Sequence, residues 1–191
     1  MTHLARRNYT LAEYAWLEDA SPVKHEYLDG VVYAMAGGSP DHARIAANVT
    51  RLLGVALAGR PCAVFSADLR IGVVPTGLRT YPDVSVVRGP LELDPEDPAR
   101  HTVTNPIVLV EVLSPSTEDY DRGEKLAHSK RIASLREVVL VAHDERRVEL
   151  WRRADERWTT VSVKGGERLT LTSLDCELGI DDLYADPLAN A

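Results

Sequence analysis

Apolar residues recur along this chain in two rhythms, one helical and one alternating. The helical rhythm appears first at Leu11, Tyr14, Ala15 and Leu17, a spacing that predicts a helix opening at Thr10. Thr10 and Glu13 form a T-x-x-E capping box, with Tyr9 and Tyr14 at the staple positions. A second helix is expected from Ser39 as N-cap and Pro40 as first residue, with Ile45, Val49, Leu52, Leu53 and Ala56 on one face. It runs to about Ala58, where Gly59 stops it. A third is expected to start at Asp121 and Glu124 and run to about Arg131. It carries Arg122, Lys125, His128 and Ser129 on one side, and Leu126 and Ala127 toward the core. A short last helix covers 180–184. The alternating or wholly apolar runs predict strands at 24–28 and 31–36, joined by an Asp29-Gly30 turn, then at 63–67, 69–74, 81–87, 107–113 and 137–142. A hairpin of 147–152 with 158–163 follows, then a strand at 168–172. Residues 89–106, GPLELDPEDPARHTVTNP, read as a mobile acidic loop. The expected architecture is α/β, a mixed sheet flanked by helices with a C-terminal antiparallel hairpin extension.

Two of these strands carry a residue that an apolar strand should not want. In IVLVEVL, bounded by Asn105-Pro106 and Ser114-Pro115, Glu111 shares a face with Ile107, Leu109 and Leu113. In TYPDVSVV, Asp83 falls on the face of Tyr81, Ser85 and Val87. A buried ionised carboxylate costs several kcal/mol, in order of magnitude, unless it is paired or binds a metal. Two carboxylates pointing the same way from neighbouring strands would make an oxygen-rich site for Mg²⁺ or Mn²⁺. The bland alternative is a Pro-Asp turn cap for Asp83 and an arginine partner for Glu111. Glu26, on the first hairpin strand, reads from the residues alone as the partner of a surface lysine across its hairpin. His42, in the first turn of the second helix, either touches a phosphate or caps a carbonyl.

Composition narrows the picture. With 191 residues, 45% of them hydrophobic, residues 1–191 are expected to form one domain. No apolar run reaches the length of a membrane span, and the first residues lack the apolar core of a signal peptide, so a cytoplasmic location is expected. Cys62 and Cys176, without a CxxC pattern, are expected as buried reduced thiols, and six scattered histidines give zinc no support. The net charge of −7 argues against a nucleic-acid binder, yet residues 121–153 hold nine Lys/Arg against six Asp/Glu. A modest basic region therefore lies next to the candidate site.

The runs YPDVSVV and VLVEVLSPSTEDYDRGEKLAHSKRIASLREVVLV, with the upstream HEYLDGVVYAMAGGSPDHARIAANV, resemble the Uma-type restriction endonuclease family of the PD-(D/E)xK nuclease superfamily. The resemblance covers roughly residues 9–153. It implies a restriction-endonuclease-like fold and Mg²⁺- or Mn²⁺-dependent cleavage of DNA to products with a 5′-phosphate. Pro82-Asp83 matches the PD element and Glu111 the acidic position. The resemblance implies that Asp83, Glu111 and the Val112 carbonyl hold the metal. Glu26 of HEYLDG would sit near it. The position two residues after Glu111, where the superfamily has lysine, is Leu113 here. The resemblance implies that a lysine on the following helix takes over, and Lys125 fits. Arg122 and His42 are candidate substrate contacts. A homodimer is expected, because the two strands of a duplex are related by dyads, with Trp151 and Trp158 on the hairpin as the interface. The alternative reading is a catalytically inactive nuclease fold used as a binding or regulatory module, which Leu113 and the acidic surface favour.

Overall fold

The structure is a computed structural model and describes residues 2–3, 8–35 and 37–189. Along the chain the strands are β1 (Thr2–His3), β2 (His25–Leu28), β3 (Val31–Ala34), β4 (Cys62–Ser66), β5 (Arg70–Val73), β6 (Leu78–Thr80) and β7 (Val84–Arg88). They continue with β8 (Thr102–Val103), β9 (Pro106–Val112), β10 (Glu137–Val141), β11 (Arg147–Ala154), β12 (Arg157–Lys164), β13 (Arg168–Leu171) and β14 (Cys176–Gly179). The helices are α1 (Leu11–Ala20), α2 (Pro40–Ala56), α3 (Glu118–Tyr120), α4 (Leu126–Ser129) and α5 (Ile180–Leu183), with a π turn, Asp121–Lys125, between α3 and α4.

The strands build two mixed sheets rather than one. The first has the order β1-β3-β2-β6-β5-β8, the second β12-β11-β10-β9-β7-β4, and β13 pairs with β14 as a C-terminal hairpin. In the second sheet β9 and β10 run parallel and the other pairs antiparallel. Its central strand, β9, is apolar on both faces because both are covered. Val108, Val110 and Val112 meet Ile45, Val49 and Leu53 of α2 and the C-terminal leucines. Leu109 and Leu113 face the other way, against Ile71, Leu78, Leu126 and Leu135. Ile107 leaves that second face. The ladder slips between Val86 and Val87, so β9 spends an extra residue there, and Ile107 packs with the α2 side instead.

The caps follow the sequence. Thr10 and Glu13 close the capping box of α1, and the Ser39 hydroxyl accepts from the His42 N–H at the start of α2. The Asp29-Gly30 hairpin is in place, with both residues at positive φ. The expected strand to Ala36 is described as far as Ala34, and Ala36 itself lies outside the described residues.

Other expectations change as well. The run 81–87 is not one strand. β6 belongs to the first sheet and β7 to the second, and Tyr81-Pro82-Asp83 crosses between them. The third helix begins at Glu118, three residues early, because the Ser114 carbonyl accepts from the Glu118 N–H. Ala127 is exposed, since the π turn rotates the following residues. Strand β14 was hidden in DCELG, where alternation is too short to show.

The acidic segment 89–106 is pinned rather than loose. Asp97 is buried and accepts from Arg70 Nη2 at 2.9 Å, from the Thr102 N–H at 2.8 Å and from the Thr102 hydroxyl at 2.7 Å. Asp94, also buried, pairs with Arg79. Burial pushes the Asp97 carboxyl up, but the Thr102 and Arg70 donors outweigh it and hold its pKa at about 2. A carboxylate so lowered stabilises the fold above the unfolded value, and that contribution is lost as pH falls from about 4 to about 2. Asp97→Asn is expected to lower stability at neutral pH by about 3 kcal/mol. It should also flatten the acid limb in that window. Urea denaturation at neutral and acid pH measures both, and an unchanged acid limb would refute the pinning role.

Candidate functional site

The end of β9 and the crossing before β7 bring the two suspect carboxylates together. Asp83 sits one residue before β7, where Pro82 has no N–H to offer a ladder. Its Oδ2 accepts the Val112 N–H at 2.7 Å, so the side chain ties the crossing to the last residue of β9. Glu111 precedes Val112 and points to the opposite side of β9, the face of Leu109 and Leu113. Glu26 enters from β2 of the first sheet and is almost wholly enclosed, at 1% exposure. Thr80 and Lys125 donate to or face its Oε1, while its Oε2 has no hydrogen-bond partner.

The π turn supplies the rest. Widening the helix there directs Asp121 and Lys125, four residues apart, inward together, and both are buried. The Lys125 ammonium lies 2.9 Å from Glu111, 3.3 Å from Glu26 and 3.6 Å from Asp121. Lys130 goes elsewhere. Its ammonium stands over the Trp151 ring, 3.5 Å from the centroid.

His42 closes the cluster from α2. Its Nε2 lies 3.3 Å from Asp83 Oδ2, and it also hydrogen-bonds to the Val112 backbone. The ring can come this close because residue 38 is glycine: a Cβ there would stand 2.6 Å from Nδ1. These groups line one open cavity with Met35, Gly37, Tyr81, Ser114, Ser116 and Thr117. Arg122 is not among its lining residues. Glu118 and Glu149 hold its guanidinium, each at 2.6 Å.

The electrostatics follow from that crowding. Burial raises the Glu111 carboxyl well above the usual range; the Lys125 ammonium opposes this, and the neighbouring Asp121 and Asp83 add to it. Burial likewise raises Asp121. Burial alone would pull Lys125 down, but Glu111, Glu26 and Asp121 outweigh it and keep the ammonium charged. The hydrogen bond to Asp83 raises His42 toward its imidazolium form. Four carboxyl groups therefore crowd one ammonium and the His42 ring. Were all four ionised, acids would outnumber bases, an excess that a divalent cation would offset. Oxygen donors, an orphan oxygen on Glu26 and this excess suit a hard cation. Among the described residues no three His, Cys, Asp or Glu side chains are gathered into a ready-made ion cage. The fit is that of an ion held by two carboxylates and a carbonyl, with water completing its shell.

Asp121 was not singled out from the sequence. The signal is present, since Asp121 and Lys125 stand four apart, but the sequence marks Asp121 only as a helix start.

Comparison with known proteins places the chain. The uncharacterized protein slr1290 of Synechocystis is 36% identical over 174 residues, covering 90% of this chain and 89% of that protein. A second uncharacterized Synechocystis protein, sll1609, is 31% identical over 157 residues, covering 82% of this chain and 88% of its own. Among solved structures, a crystal structure titled a "putative nuclease belonging to DUF820" from Anabaena variabilis superposes with a TM-score of 0.71. That match covers 86% of this chain and 91% of the other at 18% identity, which establishes a shared fold. The family model Uma2, described as "Putative restriction endonuclease", matches residues 11–181, and the chain belongs to that family.

Proposed function

We propose that this protein is a Mg²⁺- or Mn²⁺-dependent endonuclease that hydrolyses phosphodiester bonds in DNA. The observation that carries this reading is that half-buried Asp83 lines one open cavity with the buried Glu111–Lys125 pair, where acids outnumber bases. Asp83, Glu111 and the Val112 carbonyl would hold the ion, with Glu26 as a further contact to the ion or its water. When bound, such an ion supplies an activated water and neutralises charge on the scissile phosphate. Lys125, cationic and fixed by three carboxylates, is a positioned charge that orients water or meets a phosphate oxygen; it is not a base. His42, raised toward its charged form, offers a second contact to the phosphate at the rim. Arg122, held by Glu118 and Glu149, would meet the substrate outside the cavity.

The competing reading is a non-catalytic binding or regulatory module. The observation in its favour is Leu113, buried in the core where the simple motif has lysine. A homodimer is proposed for double-strand cutting, with the exposed edge strand β12 as the seam. The hairpin tryptophans are less available than the sequence suggested, because Lys130 and Arg153 already cover their rings.

Calorimetry with Mn²⁺ or Mg²⁺ is expected to give binding in the micromolar to millimolar range, an order-of-magnitude figure for a two-carboxylate oxygen site. Asp83→Ala and Glu111→Ala should each abolish it. Binding that persists in either variant would refute the assignment, and no binding in the native chain would leave the module reading.

For Lys125→Ala, metal binding should persist while DNA cleavage drops by roughly 10² or more, the scale of losing one positioned charge at a reacting centre. Lys130→Ala should leave cleavage unchanged. Equal cleavage in the native and Lys125→Ala proteins would remove the lysine from the mechanism.

The charge excess predicts a stability effect without any metal. Because the Glu111 carboxyl is raised, the metal-free folded protein keeps a proton that the unfolded chain releases, so its stability falls as pH rises above the ordinary glutamate range. Glu111→Gln removes the ionisable group, and with it the coupled proton uptake, and should raise the melting temperature in chelator at neutral pH by about 2–4 °C, equivalent to about 1 kcal/mol at this chain length. A lower melting temperature would show that Glu111 is fully compensated by Lys125.

A further inference from the structure

At the other end of the central strands lies a second pocket, with the opposite charge. Arg88 ends β7, Arg136 immediately precedes β10, and Arg152 and Arg153 lie on β11 beside it. Together they line a cleft with Ile107, Glu137, Thr172 and Ser173. Arg88 is five residues from Asp83, so the cleft stands about 17 Å along the strand from the carboxylate cluster. One phosphate group could not touch both.

The charges in this cleft are poorly balanced. Its single carboxylate, Glu137, is fully buried and already taken. It accepts from the Thr172 N–H at 3.1 Å, the Ser173 N–H at 3.1 Å, the Ser173 hydroxyl at 2.5 Å and Arg152 Nε at 2.9 Å. That leaves Arg88, Arg136 and Arg153, none of which has a carboxylate ion-pair partner among the described residues. Arg153 is half-buried; burial and the nearby Arg136 both push its pKa down, the sign of like charges held together.

Three of the four guanidiniums are also held in place. Arg88 Nη2 donates to the Ser173 carbonyl, and Arg152 Nη2 to the Thr170 carbonyl at 2.7 Å. Arg153 spends both terminal nitrogens on the carbonyls of Lys130, Ile132 and Ala133. Each still has N–H groups that none of these bonds uses, and Arg136 has all five. Guanidinium groups with unspent donors lining one open cleft suit the recognition of tetrahedral oxyanions.

We propose that this arginine cleft binds a phosphate group, with Arg136 and Arg88 as the principal donors. The proposal is independent of the metal-site reading, because it concerns a different end of the sheet and needs no metal. Its source is either a free phosphate or the backbone of a nucleic-acid strand; both present the same oxygens.

The test is calorimetric titration in chelator, at low salt, of the full chain with inorganic phosphate and, separately, with a short single-stranded oligonucleotide. Native protein is compared with Arg136→Glu, Arg88→Ala and Arg51→Glu. Arg51 is an exposed residue of α2 away from the cleft and controls for the change in net charge. Melting curves confirm that each variant is folded. The expected result is saturable binding that Arg136→Glu weakens at least tenfold, Arg88→Ala weakens in the same direction, and Arg51→Glu leaves within twofold. A loss confined to the oligonucleotide supports the cleft as a strand contact. A loss confined to inorganic phosphate supports a free phosphate. No saturable binding of either probe, or equal effects of Arg136→Glu and Arg51→Glu, overturns the proposal. Metal binding measured on the same Arg136→Glu protein separates this failure from a failure of the nuclease reading.

Discussion

The buried ammonium of Lys125 is the point on which the interior of this protein turns. It faces Glu26 from the first sheet, Glu111 from the second and Asp121 from the helix between them. Three separately folded elements thus meet on one positive charge. Each carboxylate alone would cost several kcal/mol at that depth, and together they would repel. With the ammonium among them, the same groups hold the two sheets and the helix at a fixed spacing. A buried pair of this kind is weak evidence for stability against an apolar replacement. Retaining four carboxylates here makes more sense as a site than as a structural clamp.

Local departures from regular geometry put those groups in reach of one another. Pro82 interrupts what would have been a continuous strand and lets Asp83 turn onto the Val112 N–H. The π turn at Asp121–Lys125 sends both of its charged residues inward, where a regular helix starting at Asp121 would have left the first as an exposed cap. Gly38 removes the Cβ that would keep His42 from Asp83. Each device is a deviation of one or two residues, set in elements that are otherwise regular.

That division decides what the sequence could reveal. The apolar run of β9 and the capping signals of α1 and α2 are properties of neighbouring residues, and they could be read directly. Glu111 could be suspected because it broke an apolar run. The separation of the strands into two sheets could not be read, because it depends on where the chain crosses at Tyr81-Pro82-Asp83, and one proline does not say which sheet follows. Asp94 and Asp97 resembled a solvated acidic loop because their partners, Arg79 and Arg70, lie well upstream in sequence. Asp121 was missed for a related reason: the helical spacing assumed for it lacked the extra width of a π turn. The place of Lys125 on the helical segment after Glu111 is legible, but its three-way contact needs Glu26 from a second sheet that the strand pattern does not reveal.

The acidic character of the chain ceases to be an objection to a polyanionic substrate once the charges are located. In the absence of a cation, burial first and the neighbouring carboxyls second raise Glu111 and Asp121, while the ammonium beside them stays charged. A divalent ion would favour the ionised carboxylates and offset the excess of acids over bases. A phosphodiester would then approach a site without net repulsion, and Lys125 and His42 would be cations directed at it rather than counter-ions consumed by bare carboxylates. Elsewhere, buried acids such as Asp94, Asp97 and Glu137 are each matched by a guanidinium and present little field to the outside. The formal charge of −7 counts them all alike, whereas the field a substrate meets depends on which of them are already compensated.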